Sequence, residues 1–266
     1  MTQAVIKEFK DGIEIWRMNH VETRNAITNM EMIDTLVLYA QQAQKNPEVR
    51  VIILTGNGLA FSSGGNVKEI RSQMTESDKT PHELATWYRE GIQRIPLAFE
   101  KLDVPIIAAI NGPAIGAGCD LTCMCDMRIA AQSARFAESF VKLGIIPGDG
   151  GAWLLPRAVG LAKAAEMAFT GDAISAQEAL DCGLVSKVVA DDQLMNEAMS
   201  LAKRVAVNPP ISVRMAKQLM REGQRTNLDN HLQMAAVMQA VSHRTEDHRE
   251  AMEAIFEKRA PIFKSR

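Results

Sequence analysis

A chain of 266 residues that is 47% hydrophobic can build one large core or a core with an appendage, yet with 5% aromatic residues it lacks the rings of a stacking platform for single-stranded nucleic acid. Its formal charge of −2 leaves no field to draw in nucleic acid or an anionic membrane. No basic segment followed by an apolar run opens the chain, and the longest apolar stretches, such as Val104–Ile110, are too short to cross a bilayer, so a cytoplasmic protein away from membranes is expected.

Val5–Phe9 and Ile13–Met18 alternate around Asp11-Gly12 and predict a hairpin. From Asn29 to Gln44, apolar residues at 30, 33, 36, 37 and 40 have the spacing of an amphipathic helix begun by Thr28 or Asn29. Val51–Leu54 is a short β-branched run that ends at Thr55-Gly56, a buried strand by length and flanks. A Gly/Ser-rich loop follows at 56–66, then a helical region to about Lys101. Val104–Ile110 is a second buried strand, and glycines at 116–118 open an apolar helix to Cys125. Further strands are expected at Met127–Ala130 and Val185–Val189, with helices at 161–169 and 175–182 between them. Strands separated by helices imply parallel pairing with right-handed crossovers, here as a spiral of strand and helix.

After about residue 192 no strand signal remains: Gln193–Val207, Ile211–Glu222, Leu228–Val241 and Thr245–Lys258 all read as helices. The chain thus divides into a core at 1–192 and a helical tail at 193–266, whose Met-rich stretch at 232–241 packs either on the core or on a sister subunit. Cys119, Cys123 and Cys125 fall in one helical stretch without a nearby histidine, so they read as packed small apolar residues rather than metal ligands or a disulfide framework, and no metal is expected.

Two segments share a layout of buried strand, glycines and helix: 51–66, with Gly64-Gly65, and 105–120, with Gly116-Ala117-Gly118. Glycine admits close approach to the backbone, and a helix start leaves N–H groups unpaired. Two such loops side by side aim two N–H donors at one oxygen, an oxyanion hole in which each donor contributes about 3–4 kcal/mol to lowering a barrier. The bland alternative is that these glycines serve only turns and packing. Gly112, Gly116 and Gly118 do not have the spacing of a dinucleotide fingerprint, which argues against a nucleotide-dependent oxidoreductase.

RNAIT at 24–28, LTGNGLAFSSGGNVKEI at 54–70, AAINGPAIGAGCDLTCMCD up to Asp126, LGIIPGDGGAWLLPRAVG at 143–160, FTGDAISAQEALDCGLVSKVV at 169–189 and FEKRAPIF at 256–263 resemble, in order, the signatures of the enoyl-CoA hydratase/isomerase (crotonase) superfamily. The resemblance spans nearly the whole chain. It implies an α/β fold, a crotonase-like spiral of β-β-α turns with a C-terminal helical trimerisation region, and assembly as a homotrimer or homohexamer. It implies an acyl-CoA thioester substrate, with coenzyme A as part of the substrate and no separate cofactor. By position, the oxyanion donors are the N–H groups of Gly65 and Ala117, although relatives usually have glycine at the second site. The backbone of Arg24–Ala26 and Gly64–Asn66 flanks the coenzyme, and Lys258 matches a lysine that meets its phosphate; the alternative for Lys258 is an ordinary solvated lysine.

Hydration in this family uses two glutamates that grip one water. Here the first position is Asp120 and the second is Phe140, which carries no proton. Isomerising relatives place an acid in the loop after Gly144, where this chain has Asp149, one residue beyond the expected site. Both aspartates have structural alternatives, an Asx turn for Asp149 and a helix first-turn acid for Asp120. Glu138 is a third candidate, two residues before Phe140 and on the same side of a strand. Asp120 and Asp149 together fit C=C isomerisation slightly better than hydration. A non-catalytic acyl-CoA binder and a C–C or thioester hydrolase on the same scaffold are the competing readings.

Overall fold

The computed structural model describes residues 3–75 and 78–266. Asp11 (φ 53°) and Gly12 (φ 78°) both turn through left-handed backbone, the conformation of a two-residue hairpin, so β1 (Val5–Lys10) and β2 (Ile13–Met18) pair antiparallel. Asn29 caps α1 (Met30–Lys45), its side chain accepting from the N–H groups of Glu31 and Met32. The buried residues of α1 (Met32, Ile33, Leu36, Val37, Ala40, Ala43) form one stripe.

β3 (Val51–Gly56) is buried along its whole length and runs parallel to β2. The helical region that follows is three helices, α2 (Val67–Thr75), α3 (Pro81–Glu90, begun by a Thr80/Glu83 capping box) and α4 (Arg94–Glu100). Next come β4 (Ile106–Ile110), β5 (Ala114–Ile115), α5 (Ala117–Cys123), β6 (Met127–Ala131) and β7 (Arg135–Ala137), then a 3₁₀ turn over Ser139–Leu143. α6 (Gly151–Thr170) is two helices joined at Gly160, whose backbone is not helical. β8 (Ala173–Ser175), α7 (Ala176–Asp181) and β9 (Lys187–Val189) complete the spiral.

The main sheet has the order β1-β2-β3-β4-β6-β9, parallel except for the hairpin, and a second sheet has the order β5-β7-β8. Successive turns therefore read β4-β5-α5 and β6-β7-α6, a β-β-α repeat. The short strands of the second sheet and the half of α6 before Gly160 go beyond the expected elements. Strands of two or three residues show no period, and Pro156 with the glycines at 148, 150 and 151 disguises the helix as a loop.

Side chains alternate across the parallel strands. Ile52, Leu54, Ile106 and Ala108 join the larger core with α1 and α4, whereas Val51, Ile53, Ile107 and Ala109 face a smaller one. That second face is covered by α8 (Leu194–Ala206) through Leu194, Ala198, Ala202 and Ala206, one residue per turn. The tail continues with α9 (Pro210–Glu222), α10 (Leu228–Ser242) and α11 (Glu246–Glu257). Arg214 of α9 donates to the carbonyls of Gln44, Asn46 and Val49 at the end of α1, which ties the tail to the core. No residue of α10 is buried, and Leu232, Val237 and Val241 lie open on its surface.

Candidate active site

The two glycine loops meet. Ser62 and Ala114 form an isolated parallel bridge, with the Ser62 N–H donating to Pro113 O (3.1 Å) and the Ile115 N–H to Ser62 O (3.0 Å). Gly64 (φ 78°) then lies so close to the other loop that a Cβ on it would stand 2.2 Å from Ile115 O and 3.0 Å from Ala117 N. Gly65 and Ala117 each follow three residues after a bridge partner. Neither N–H makes a hydrogen bond within the described residues, and both residues line one cavity of about 220 Å³. Ala117 is the first residue of α5, where the helix leaves its N–H unpaired.

A short segment holds the first loop. Asn25, fully buried in left-handed backbone (φ 59°), donates through Nδ2 to Asn57 O and Ala60 O (both 2.9 Å). The Ser62 hydroxyl donates to Asn25 O (2.7 Å), the Ser63 N–H to Arg24 O (2.8 Å) and the Ile27 N–H to Gly64 O (2.9 Å). Asn25 falls within the expected Arg24–Ala26 stretch, but its side chain's part in holding the loop was not expected; its place inside the RNAIT motif was the available signal.

Of the sequence-expected residues, Gly65, Ala117, Phe140 and Asp149 line the cavity. Arg24, Ala26, Gly64, Asn66 and Lys258 are not in its wall. Arg24 is exposed and Ala26 buried, Gly64 packs behind Ala117, and Asn66 accepts from Lys68 N at the start of α2. Lys258 is exposed at the left-handed C-terminal cap of α11. The rest of the wall is largely apolar, including Val67 and Ile70 of α2, Trp87 and Tyr88 of α3, Ile92, Leu143, Ile145 and Ile146. The α3 residues escaped sequence reading because nothing in an amphipathic helix announces which apolar face meets a ligand. Lys142 also borders the cavity, but it is ion-paired to Asp172 (2.8 Å).

Asp149 is the only acidic residue in that wall among the described residues, and its own carboxyl oxygens are buried. Asp120 lies behind it, 0% exposed, and Glu138 is 1% exposed. The strand placement of Glu138 beside Phe140 is corrected: Glu138 caps the 3₁₀ turn, and the turn carries Phe140 to the cavity while Glu138 stays inside. Glu138, Asp120 and Asp149 form a chain in which Asp120 is within hydrogen-bonding reach of both others. With all three treated as carboxylates, none of their six oxygens has a partner, because carboxylates only accept. The contacts are therefore hydrogen bonds only when a proton sits between them.

Burial raises the Asp120 carboxyl well above the usual carboxylate range, and the charges of Asp149 and Glu138 push it the same way. Burial likewise raises Glu138, to about 6, and raises Asp149, with hydrogen bonds from Asp120 opposing in both cases. Burial and the Asp149 charge raise the Tyr88 phenol. Gly151 makes room for this packing: a Cβ there would sit 2.0 Å from Asp120 Oδ1. All four cysteines are free, and no group of His, Cys, Asp or Glu among the described residues is arranged to hold a metal ion. No described helix is long and apolar enough to cross a membrane.

Two residues with unpaired amides, Gly65 and Ala117, thus line one largely apolar cavity set in a spiral of β-β-α turns. Comparison with known proteins shows the family. A sequence model described as enoyl-CoA hydratase/isomerase matches residues 8–266. The chain is 34% identical over 266 residues to 2,3-dehydroadipyl-CoA hydratase of Escherichia coli, covering 100% of both chains. It is 32% identical over 264 residues to 1,2-epoxyphenylacetyl-CoA isomerase of the same species, covering 99% of each. An enoyl-CoA hydratase structure from Bacillus anthracis superposes with a TM-score of 0.92 at 34% identity, covering 99% of this chain and 100% of that one. The chain belongs to the enoyl-CoA hydratase/isomerase family.

Proposed function

We propose that the protein is an acyl-CoA enzyme that moves a carbon–carbon double bond along an enoyl thioester. One observation carries the choice of isomerisation over hydration: Asp149, its carboxyl buried, is the one acidic residue in the cavity wall among the described residues, and Phe140 stands at the position where the family resemblance puts the second acid of hydration. Ionised Asp149 removes a proton from the α-carbon of a 3-enoyl thioester. The electron pair moves onto the thioester oxygen, which the Gly65 and Ala117 amides hold. As the pair returns, the double bond forms between the α- and β-carbons and the same carboxyl delivers its proton to the γ-carbon. A base that gives back what it takes needs no partner. Burial strengthens Asp149 as a base, provided it can ionise.

Family membership supports an acyl-CoA substrate with no further cofactor. The apolar wall supports a hydrocarbon or aryl acyl group in the cavity. Asp120 acts from behind Asp149, while Arg24, Ala26, Gly64, Asn66 and Lys258 meet the coenzyme outside the cavity. The open apolar residues of α10 support a trimer, or a hexamer of two trimers, built through the tail at 193–266. Four free cysteines agree with a cytoplasmic location.

The test is incubation with 2-enoyl- and 3-enoyl-CoA thioesters of varied chain, followed by ultraviolet absorbance of the conjugated thioester and by product mass. Double-bond migration without gain of water, reduced about 10²–10⁴-fold by Asp149→Asn with coenzyme binding retained, is expected. Hydration as the main reaction, free coenzyme A as product, or binding without turnover would each overturn the reading.

A further inference from the structure

We propose that Asp120 and Glu138 are positioning residues for Asp149: the three carboxyls share protons through Asp120, and the bare Cα of Gly151 is what lets Asp120 lie between the other two. The proposal rests on Asp149 as the proton carrier and adds two residues that never touch substrate.

Four observations converge. Asp149 belongs to the cavity wall, whereas Asp120 and Glu138 do not, and the carboxyl oxygens of all three are buried. No lysine, arginine or histidine hydrogen-bonds any of their six buried oxygens among the described residues. Asp120 is within hydrogen-bonding reach of both neighbours, and two carboxylates cannot bond without a proton. Gly151, the first residue of α6, holds the Asp120 carboxyl against its Cα, where any side chain would collide. Three adjacent buried negative charges without a counter-ion are untenable, so the cluster keeps at least one proton, and the central member, next to two acceptors, is its natural seat.

The remaining groups facing the cluster are known. Tyr88 of α3, also in the cavity wall, feels the Asp149 charge, and Cys119 of α5 reaches Glu138 from the interior. Cys123 feels the Glu138 charge from the far end of α5. Lys142 borders the cavity but is paired with Asp172. Among the described residues nothing cationic is thus placed to ionise Asp149; that task falls to the Asp120 proton. A hydrogen bond donated by Asp120 favours the Asp149 carboxylate, while Glu138 competes for the same proton and adds a like charge.

Opposite substitutions must then shift the acid limb of the kcat/KM profile in opposite directions. Glu138→Gln removes both the competitor and its charge, and the limb moves to lower pH by about one unit. Asp120→Ala removes the donor, and the limb moves up by a similar amount with a fall in kcat. Asp120→Asn keeps a donor toward Asp149, so the limb stays near the wild type and kcat recovers. An independent arm needs no turnover: infrared spectra of the wild type show a protonated carboxyl stretch that persists at neutral pH and disappears in Asp120→Asn. An acid limb unmoved by Glu138→Gln, or Asp120→Asn as impaired as Asp120→Ala, overturns the proposal. If no enoyl thioester turns over, the reaction assignment fails, and the infrared band alone decides: present and Asp120-dependent, the shared proton stands; absent, it falls.

Discussion

Gly64→Ala separates the segments that carry the Gly65 and Ala117 amides, the two halves of the proposed oxyanion hole. A β-carbon at this position meets Ile115 O at 2.2 Å and Ala117 N at 3.0 Å, the first about 1 Å inside normal contact. Both opposing atoms belong to backbone, and the loops are clamped just upstream by the Ser62–Ala114 bridge, so the strain is relieved only by displacing the segments that carry the Gly65 and Ala117 amides. Left-handed backbone costs alanine about 1 kcal/mol more, and loop displacement brings the loss of stability to about 2 kcal/mol. Loss of one aligned donor costs about 3–4 kcal/mol in the barrier, so kcat falls about a hundred- to a thousandfold. Gly183→Ala is the control: Gly183 has the same backbone sign (φ 80°), but its nearest neighbour to a new Cβ is 3.8 Å away. Steady-state turnover of a 3-enoyl thioester and urea unfolding are measured for wild type and both variants. The control loses about 1 kcal/mol of stability and no kcat. A folded Gly64→Ala protein with kcat within about threefold of wild type refutes the two-amide site.

Phe140→Glu restores a second carboxyl to the cavity wall, and hydration of a 2-enoyl thioester, read as product mass, rises at least about tenfold above background. Glu138 titrates near 6 in the folded protein against 4.5 unfolded, so folded molecules bind the extra proton and its contribution to stability fades as pH rises from 4.5 through about 6. Glu138→Gln therefore removes about 2 kcal/mol of pH dependence over that interval, with neutral-pH stability gaining most; parallel urea curves at the two ends check this. Arg214→Met leaves three carbonyls at the end of α1 without their guanidinium and lowers the unfolding free energy by about 2 kcal/mol, with kcat unchanged.

The long elements were legible because their signals are local. The Asp11-Gly12 hairpin, the stripe of α1, the buried runs of β3 and β4 and the four tail helices appear where periodicity and turn chemistry place them. Gly65 and Ala117 were singled out by resemblance, and both line the cavity with unpaired amides. What sequence did not reveal is relational. Glu138 reads as a strand neighbour of Phe140 until the 3₁₀ turn sends the two in different directions. Asp120 reads as a cavity acid until Asp149 is seen in front of it. Gly151 looks like a loop residue, since only coordinates show a carboxyl lying against its Cα.

The Ser62–Ala114 bridge carries one more consequence. Because main-chain pairing sets the spacing of the two amides, each the same number of residues downstream, the wall side chains Phe140, Trp87, Ile146 and Asp149 take no part in fixing it. These four are therefore free to change with the acyl group or the chemistry while the charge-stabilising centre persists. A scaffold wired this way lets descendants trade one reaction for another through point substitutions in the wall.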